Sequence, residues 1–188
     1  MENIEKKVDE ILELYTRFGD EDYIGEPVSQ LEHMSQTAQL AMQHEADDEV
    51  VLAAFFHDIG HFCDREATAQ MDGYGFVRHE LIGANFLRQK GFPERIAQLI
   101  ENHVQAKRYL TFANPDYYDQ LSEASKQTLL HQGGVMSAEE ASIFESHPYF
   151  HDSIKLRTWD EQAKQMGLAI INFRAIKEKA IHVLTNLK

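Results

Sequence analysis

The strongest constraint in this sequence is VVLAAFFHDIGH, residues 50–61, where an unbroken apolar run leads directly into two histidines and an aspartate. Asp47 or Asp48 stands where a helix N-cap is expected, and a helix apolar on every side belongs at the centre of a domain. Its far end therefore carries His57, Asp58 and, a turn later, His61 into the interior, with Gly60 expected to end or weaken the helix. An ionisable pair in such a place is costly unless a partner compensates for lost hydration. Metal ions do so, because imidazole nitrogen and carboxylate oxygen both suit first-row transition ions. A carboxylate can also bridge two metals, which an imidazole cannot, so His57 and Asp58 form a plausible core for a binuclear site.

The rest of the chain reads as helices around that segment. Ile4, Val8, Ile11, Leu12, Tyr15 and Phe18 recur at helical spacing and predict a first helix ending near Gly19. Residues 20–29 read as a loop, with Pro27 suited to the first turn of a second helix that runs to about His44. Residues 64–75 read as a loop and 78–90 as a helix stopped by Gly91; Pro93 opens the next helix, and His103 closes it. A helix from about Ser122 is closed by Gly133 and Gly134, and Ser137 to Glu140 has the form of a capping box. Two more helices fall near 151–165 and 173–187. No alternating strand pattern is present, so the expected fold class is all-α, a bundle of eight or nine helices in one domain over residues 1–188.

Charge and cysteine content bound the function. With 31 acidic and 18 basic residues the net charge is −13, which argues against adhesion to nucleic acid or an anionic membrane. No apolar run is long enough to span a bilayer, the N-terminus lacks the pattern of a signal peptide, and the single cysteine, Cys63, excludes an internal disulfide framework. A soluble cytoplasmic protein is the expectation.

Ten histidines are unusual, and their placement matters more than their number. His33 lies on the apolar side of its predicted helix, His79 opens one helix and His103 closes another, and Asp160 follows Trp159 in KLRTWDE. Taken singly, a buried histidine is more often a hydrogen-bonded core residue than a ligand, and Asp160 reads as a solvated acid. The case rests on the ensemble of His33, His57, Asp58, His61, His79, His103 and Asp160. His44, His131, His147, His151 and His182 sit in polar or terminal contexts and are assigned to the surface.

This ordered set resembles the HD-domain superfamily, whose pattern is H…HD…D on a helical bundle. Most members with that pattern are metal-dependent phosphohydrolases, and a smaller branch consists of mixed-valent di-iron oxygenases. The segments DYIGEPVSQLEH (22–33), HDIGH (57–61), DGYGFVRHE (72–80), IENHVQAKRYL (100–110), LSEASKQTL (121–129), HQGGVM (131–136) and KLRTWDE (155–161) follow in order. Together they are similar to the PhnZ-type phosphonate dioxygenases of that branch, which cleave 2-amino-1-hydroxyethylphosphonate.

The resemblance implies two iron ions, Fe(II)/Fe(III), with dioxygen as co-substrate. One iron would be held by His33, His57, Asp58 and Asp160, the second by Asp58, His79 and His103. Lys107, His61, Ser125 and Arg157 would contact the phosphonate. Glu26 would receive the substrate's amino group, and Tyr23 would cap the second iron until substrate binds. His61 is also a candidate general acid or base. The implied reaction is oxidative cleavage of the carbon–phosphorus bond of the R enantiomer to glycine and phosphate. Without the resemblance, Lys107 and Arg157 read as solvated surface cations, and Ser125 carries no signal.

Three rivals stand beside this reading. One is a metal-dependent phosphohydrolase, in which the metals activate water. Another is a sibling oxygenase acting on 1-hydroxy-2-(trimethylammonio)ethylphosphonate, whose quaternary ammonium would favour an aromatic cage such as Tyr23, Tyr74 and Tyr109 could form. The third is a helical interaction module with a vestigial metal site.

Overall fold

The computed structural model describes residues 2–23, 25–63 and 77–186. Among them are ten α-helices and one 3-10 turn, and no strand beyond an isolated antiparallel bridge between Asp22 and Ser29. The chain runs through α1 (Glu2–Phe18), α2 (Gln30–Gln43), α3 (Asp48–Phe56), the 3-10 turn (Ile59–Phe62), α4 (His79–Gln89) and α5 (Glu94–Ala113). It continues through α6 (Pro115–Gln120), α7 (Glu123–His131), α8 (Ala138–Glu145), α9 (Phe150–Gln162) and α10 (Phe173–Thr185). The all-α class holds, with one helix more than the upper expectation: α6, a short segment with Pro115 in its first turn and no buried residue. The loop expected over 64–75 lies outside the described residues.

The centre of the molecule is α3. Asp47 caps it by accepting from the Val50 amide at 3.1 Å, and every residue from Val50 to Phe56 is buried. α2, α5, α9 and α10 pack directly against it. α1 lies over the side formed by α10 and the 3-10 turn. Tyr15 of α1 stacks on Phe55 with ring centroids 4.5 Å apart and donates its hydroxyl to the Phe55 carbonyl at 3.0 Å. That contact satisfies one of the carbonyl groups a helix end leaves without an intrahelical partner.

Local signals set the other ends. Ser29 and Ser137 each form a complete capping box, with Glu32 and Glu140 as the returning carboxylates. Ser29 therefore starts α2 two residues beyond Pro27, which sits in the preceding loop and not in the first turn. Gly91 adopts φ +85°, the left-handed conformation that stops α4. α5 does not stop at His103. It continues a further ten residues to Ala113, so His103 lies mid-helix.

Gly60 has a different part from helix termination, since α3 already ends at Phe56. A Cβ at Gly60 would stand 1.9 Å from the His79 carbonyl oxygen, and one at Gly83 would stand 3.0 Å from the Gly60 nitrogen. These glycines let the 3-10 turn lie directly against the start of α4, which brings His61 and His79 face to face.

Candidate metal centre

Five elements deliver side chains to one buried place. His33 comes from α2, His57 and Asp58 from the end of α3, His79 from the first residue of α4, His103 from α5 and Asp160 from α9. None of the six is more than 4% exposed. They divide into two clusters that share Asp58. On one side, the Asp58 Oδ2 atom lies 3.7 Å from His33 Nε2 and 3.4 Å from His57 Nε2. The Asp160 Oδ1 atom closes that cluster at 3.3 Å from His33 and 4.0 Å from His57. On the other side, Asp58 Oδ1 lies 3.2 Å from His79 Nε2 and 3.6 Å from His103 Nε2.

The hydrogen bonds of the imidazoles show which atoms face inward as lone pairs. His33 Nδ1 lies 2.9 Å from the Ala163 carbonyl, His57 Nδ1 2.8 Å from that of Ala54, and His103 Nδ1 2.6 Å from that of Ile100. A carbonyl only accepts, so each Nδ1 carries a proton and each neutral ring turns an unprotonated Nε2 toward the cluster. Yet the Nε2 atoms of His33 and His57 are 3.1 Å apart, as are those of His79 and His103. Where both nitrogens of such a pair are unprotonated their lone pairs repel unless a cation lies beside them, and without one a proton on either nitrogen makes the contact a hydrogen bond. Asp160 Oδ1 is likewise buried without a hydrogen-bond donor among the described residues. This donor set fits metal ions, and its outer carbonyls are the kind of partner that orients histidine ligands.

Electrostatics point the same way. Burial opposes charge on Asp58, but His57 and His79 beside it outweigh that and hold its carboxyl well below the usual range. Asp160 is held low against burial by the Arg157 guanidinium. Burial also works against a charged His57, yet Asp58 and Asp160 push it up to about 9. In the metal-free protein, a proton on His57 thus supplies positive charge that the two carboxylates demand. His103 goes the other way, with burial taking it down to about 3.

A cavity of about 60 Å³ opens beside the second cluster, with Asp58, His61, His79 and His103 on its floor and Tyr23, Glu26, Lys107, Ser125 and Arg157 among its walls. Lys107 and Arg157 are not surface cations; they are 3% and 5% exposed. Lys107 donates to Thr128 Oγ1 at 2.6 Å and to Gln132 Oε1 at 3.1 Å. Arg157 donates to Asp160 Oδ2 at 2.5 Å, to Ser125 Oγ at 3.3 Å, to the Tyr117 hydroxyl at 2.8 Å and to Glu161. Tyr23 stacks on His33 with centroids 4.0 Å apart, and burial followed by Asp58 raises its hydroxyl pKa. His61 stacks on His79 at 4.3 Å, and burial, then His79, lowers it to about 3. Asp58, His61 and His79 can also present ligand atoms within 4.8 Å of one another, which makes His61 a competitor of His103 for the second position.

All twelve sequence-derived site residues thus meet at one cluster and cavity. Of the surface histidines, His147 is the exception: it is part-buried and bonded to Asn102 at 3.3 Å. Tyr109 belongs to the small apolar cluster around Phe144 and not to the cavity, and Tyr74 lies outside the described residues. Sequence reasoning missed Thr128, Gln132, Tyr117 and Lys164. Thr128 lies one helical turn beyond Ser125 and could have been found by that spacing; Tyr117, on the short α6, had no signal.

Helices that converge their histidines and aspartates on a buried, cation-demanding cluster define an all-helical protein able to hold metal. The chain belongs to the HD-domain family, whose model matches residues 31–132. It is 48% identical over 171 residues to an uncharacterized protein, L432, of Acanthamoeba polyphaga mimivirus, covering 90% of this chain and 78% of that one. To the glycine-betaine-forming 1-hydroxy-2-(trimethylamino)ethylphosphonate dioxygenase of Leisingera caerulea it is 42% identical over 155 residues, 82% of this chain and 79% of the relative. To the hydroxymethylphosphonate dioxygenase of Gimesia maris it is 39% identical over 166 residues, 88% and 82% of the two chains. No helix among the described residues is long and apolar enough to cross a membrane.

Proposed function

We propose that this protein is a di-iron dioxygenase that cleaves the carbon–phosphorus bond of a 1-hydroxyalkylphosphonate. The observation that carries the reading is Asp58, whose two oxygens each face a different pair of imidazole nitrogens on the floor of a cavity walled by buried cations. His33, His57, Asp58 and Asp160 would hold one iron, and Asp58, His79 and His103 the other. When bound, the metal pair would supply dioxygen activation and a path for the electrons that the substrate's C1 gives up to dioxygen.

The chain's own residues supply binding and orientation. Lys107, Arg157, Ser125 and His61 surround the place for a phosphonate, and charge-assisted hydrogen bonds from buried cations suit its oxygens. Holding the phosphonate there sets C1 and its hydroxyl over the second cluster. Glu26 lines the same cavity and is the carboxylate that an ammonium two carbons from phosphorus would meet, so (R)-2-amino-1-hydroxyethylphosphonate, with glycine and phosphate as products, is one candidate substrate. The trimethylammonio analogue fits as well: a carboxylate attracts either cation, and the Leisingera caerulea relative is named for that substrate. Tyr23, stacked on His33, would leave the second metal as substrate enters.

The test is anaerobic loading with iron, partial oxidation, and electron paramagnetic resonance with and without each phosphonate. A coupled mixed-valent signal that sharpens with substrate, followed by release of phosphate with glycine or glycine betaine on adding oxygen, is the expected result. Absence of any coupled iron signal, with phosphoester hydrolysis under manganese or cobalt, would instead establish a phosphohydrolase.

A further inference from the structure

The cavity rim holds a cation to which the proposed reaction gives no part. Lys164, just past the end of α9, lines the cavity, and its ammonium lies 3.0 Å from Glu26 Oε1 and 2.6 Å from Glu161 Oε1. The same Glu26 oxygen accepts a hydrogen bond of 2.5 Å from Ser122 Oγ. The Lys164 and Glu26 side chains are 16% and 9% exposed, so water and salt screen the pair only weakly. Burial works against the charge of Lys164, but Glu161 and Glu26 outweigh it and raise its pKa, which keeps the ammonium charged at neutral pH. Glu26 is therefore not a waiting carboxylate. It already serves an internal ammonium.

We propose that Lys164 is a specificity-determining residue: it occupies Glu26 in place of a substrate ammonium, and so disfavours ammonium-bearing hydroxyphosphonates relative to ammonium-free ones. The inference rests on the phosphonate reading of the cavity given above. A substrate ammonium that reaches Glu26 must either displace Lys164 from it or share a carboxylate whose charge Lys164 already neutralises. In either case Glu26 adds little net affinity for the amine. A substrate without an amine, such as hydroxymethylphosphonate, leaves the pair as it stands.

The measurement is calorimetric affinity for hydroxymethylphosphonate and for 2-amino-1-hydroxyethylphosphonate, on iron-loaded protein without oxygen so that nothing turns over. Losing a cation weakens binding of any anionic phosphonate, so the readout is the ratio of the two affinities. In Lys164→Met the ratio is expected to move toward the amine by about tenfold, the scale of one charge-assisted hydrogen bond. In Lys164→Arg, which keeps the charge, it should stay at the native value, and in Lys164→Met with Glu26→Gln it should fall back. An unmoved ratio in Lys164→Met, with both ligands still bound, overturns this inference and leaves the proposed function standing. A ratio that stays raised after Glu26→Gln overturns it as well, because the released site would not be Glu26. If the unaltered protein binds neither phosphonate, the proposed function falls and this inference with it.

Discussion

Replacing Asp58 by asparagine preserves its shape and removes the one charge shared by both clusters. His57 Nε2 lies 3.4 Å from Asp58 Oδ2, and at an effective dielectric of about 20 two unit charges at that separation interact by about 5 kcal/mol. Half of that, after allowing for the hydrogen bond an amide oxygen still accepts, corresponds to a factor of about seventy in affinity for a cation. Two readouts follow. In the metal-free variant, His57 should no longer titrate at about 9 but markedly lower, because burial persists and only Asp160, 4.0 Å away, and the Ala54 carbonyl remain to oppose it. In the metal-loaded variant, iron content by elemental analysis should fall from two ions per chain to at most one. Asp160→Asn is the contrast, since of the four cluster histidines Asp160 reaches only His33 and His57 and its loss should spare the second cluster. An Asp58→Asn protein that keeps two irons, with His57 titrating as before by NMR, would refute the bridging role and the electrostatic reasoning together.

Lys107→Met should weaken phosphonate binding by about ten- to a hundredfold, the scale of one hydrogen bond to a charged group, while iron content stays unchanged; equal affinity by calorimetry would remove Lys107 from the site. Because Lys107 is 3% exposed and burial drives its pKa well down, the same variant should melt no lower than the native protein when metal-free. Gly60→Ala should cost about 3 kcal/mol or more in urea unfolding, since its methyl would stand 1.9 Å from the His79 carbonyl oxygen; an unchanged midpoint would refute the close approach. In the metal-free protein, the contribution of His57, His61 and His103 to stability should turn over near pH 6.5. Above that, the proton that stabilises it on His57, fully held below 6.5 in both states, is lost as pH rises toward about 9; below it, His61 and His103, held neutral down to about 3, favour the unfolded chain that can take up their protons. On the acid side Asp58 and Asp160, held well below the usual carboxylate range, add to the loss from these two histidines, while on the alkaline side Lys107, whose pKa burial lowers, works against the His57 loss; a urea midpoint that fails to fall on acidification below pH 6.5 would contradict the assignment.

Capping and burial were legible in the sequence wherever the local signal and the tertiary environment agree. Asp47 or Asp48 before an all-apolar run predicts α3, and Ser137 with Glu140 predicts the capping box that opens α8, whereas the equivalent box of Ser29 and Glu32 is missed in favour of Pro27. The far end of α5 is misread for the opposite reason. α5 was expected to end at His103, yet it runs to Ala113, and its buried residues beyond Ile100 include Asn102, His103, Lys107 and Thr111. α9 lies where the sequence places it, near 151–165, yet its buried face too contains Ser153, Arg157 and Asp160 beside Leu156 and Trp159. Polar residues on a buried face erase the apolar period that marks a helix, and the same period makes Lys107 and Arg157 look like surface cations. That burial is tolerated only because the groups satisfy one another: Arg157 with Asp160, Ser125 and Tyr117, Lys107 with Thr128 and Gln132. A functional cavity built on helix faces thus hides the far end of α5, and the burial of Lys107 and Arg157, from pattern reading. What survives is spacing: His103 and Lys107 four apart, Arg157 and Asp160 three apart, each pair on one face of its helix. Where hydrophobic periodicity fails while that spacing of ionisable residues persists, the failure itself marks the wall of the site.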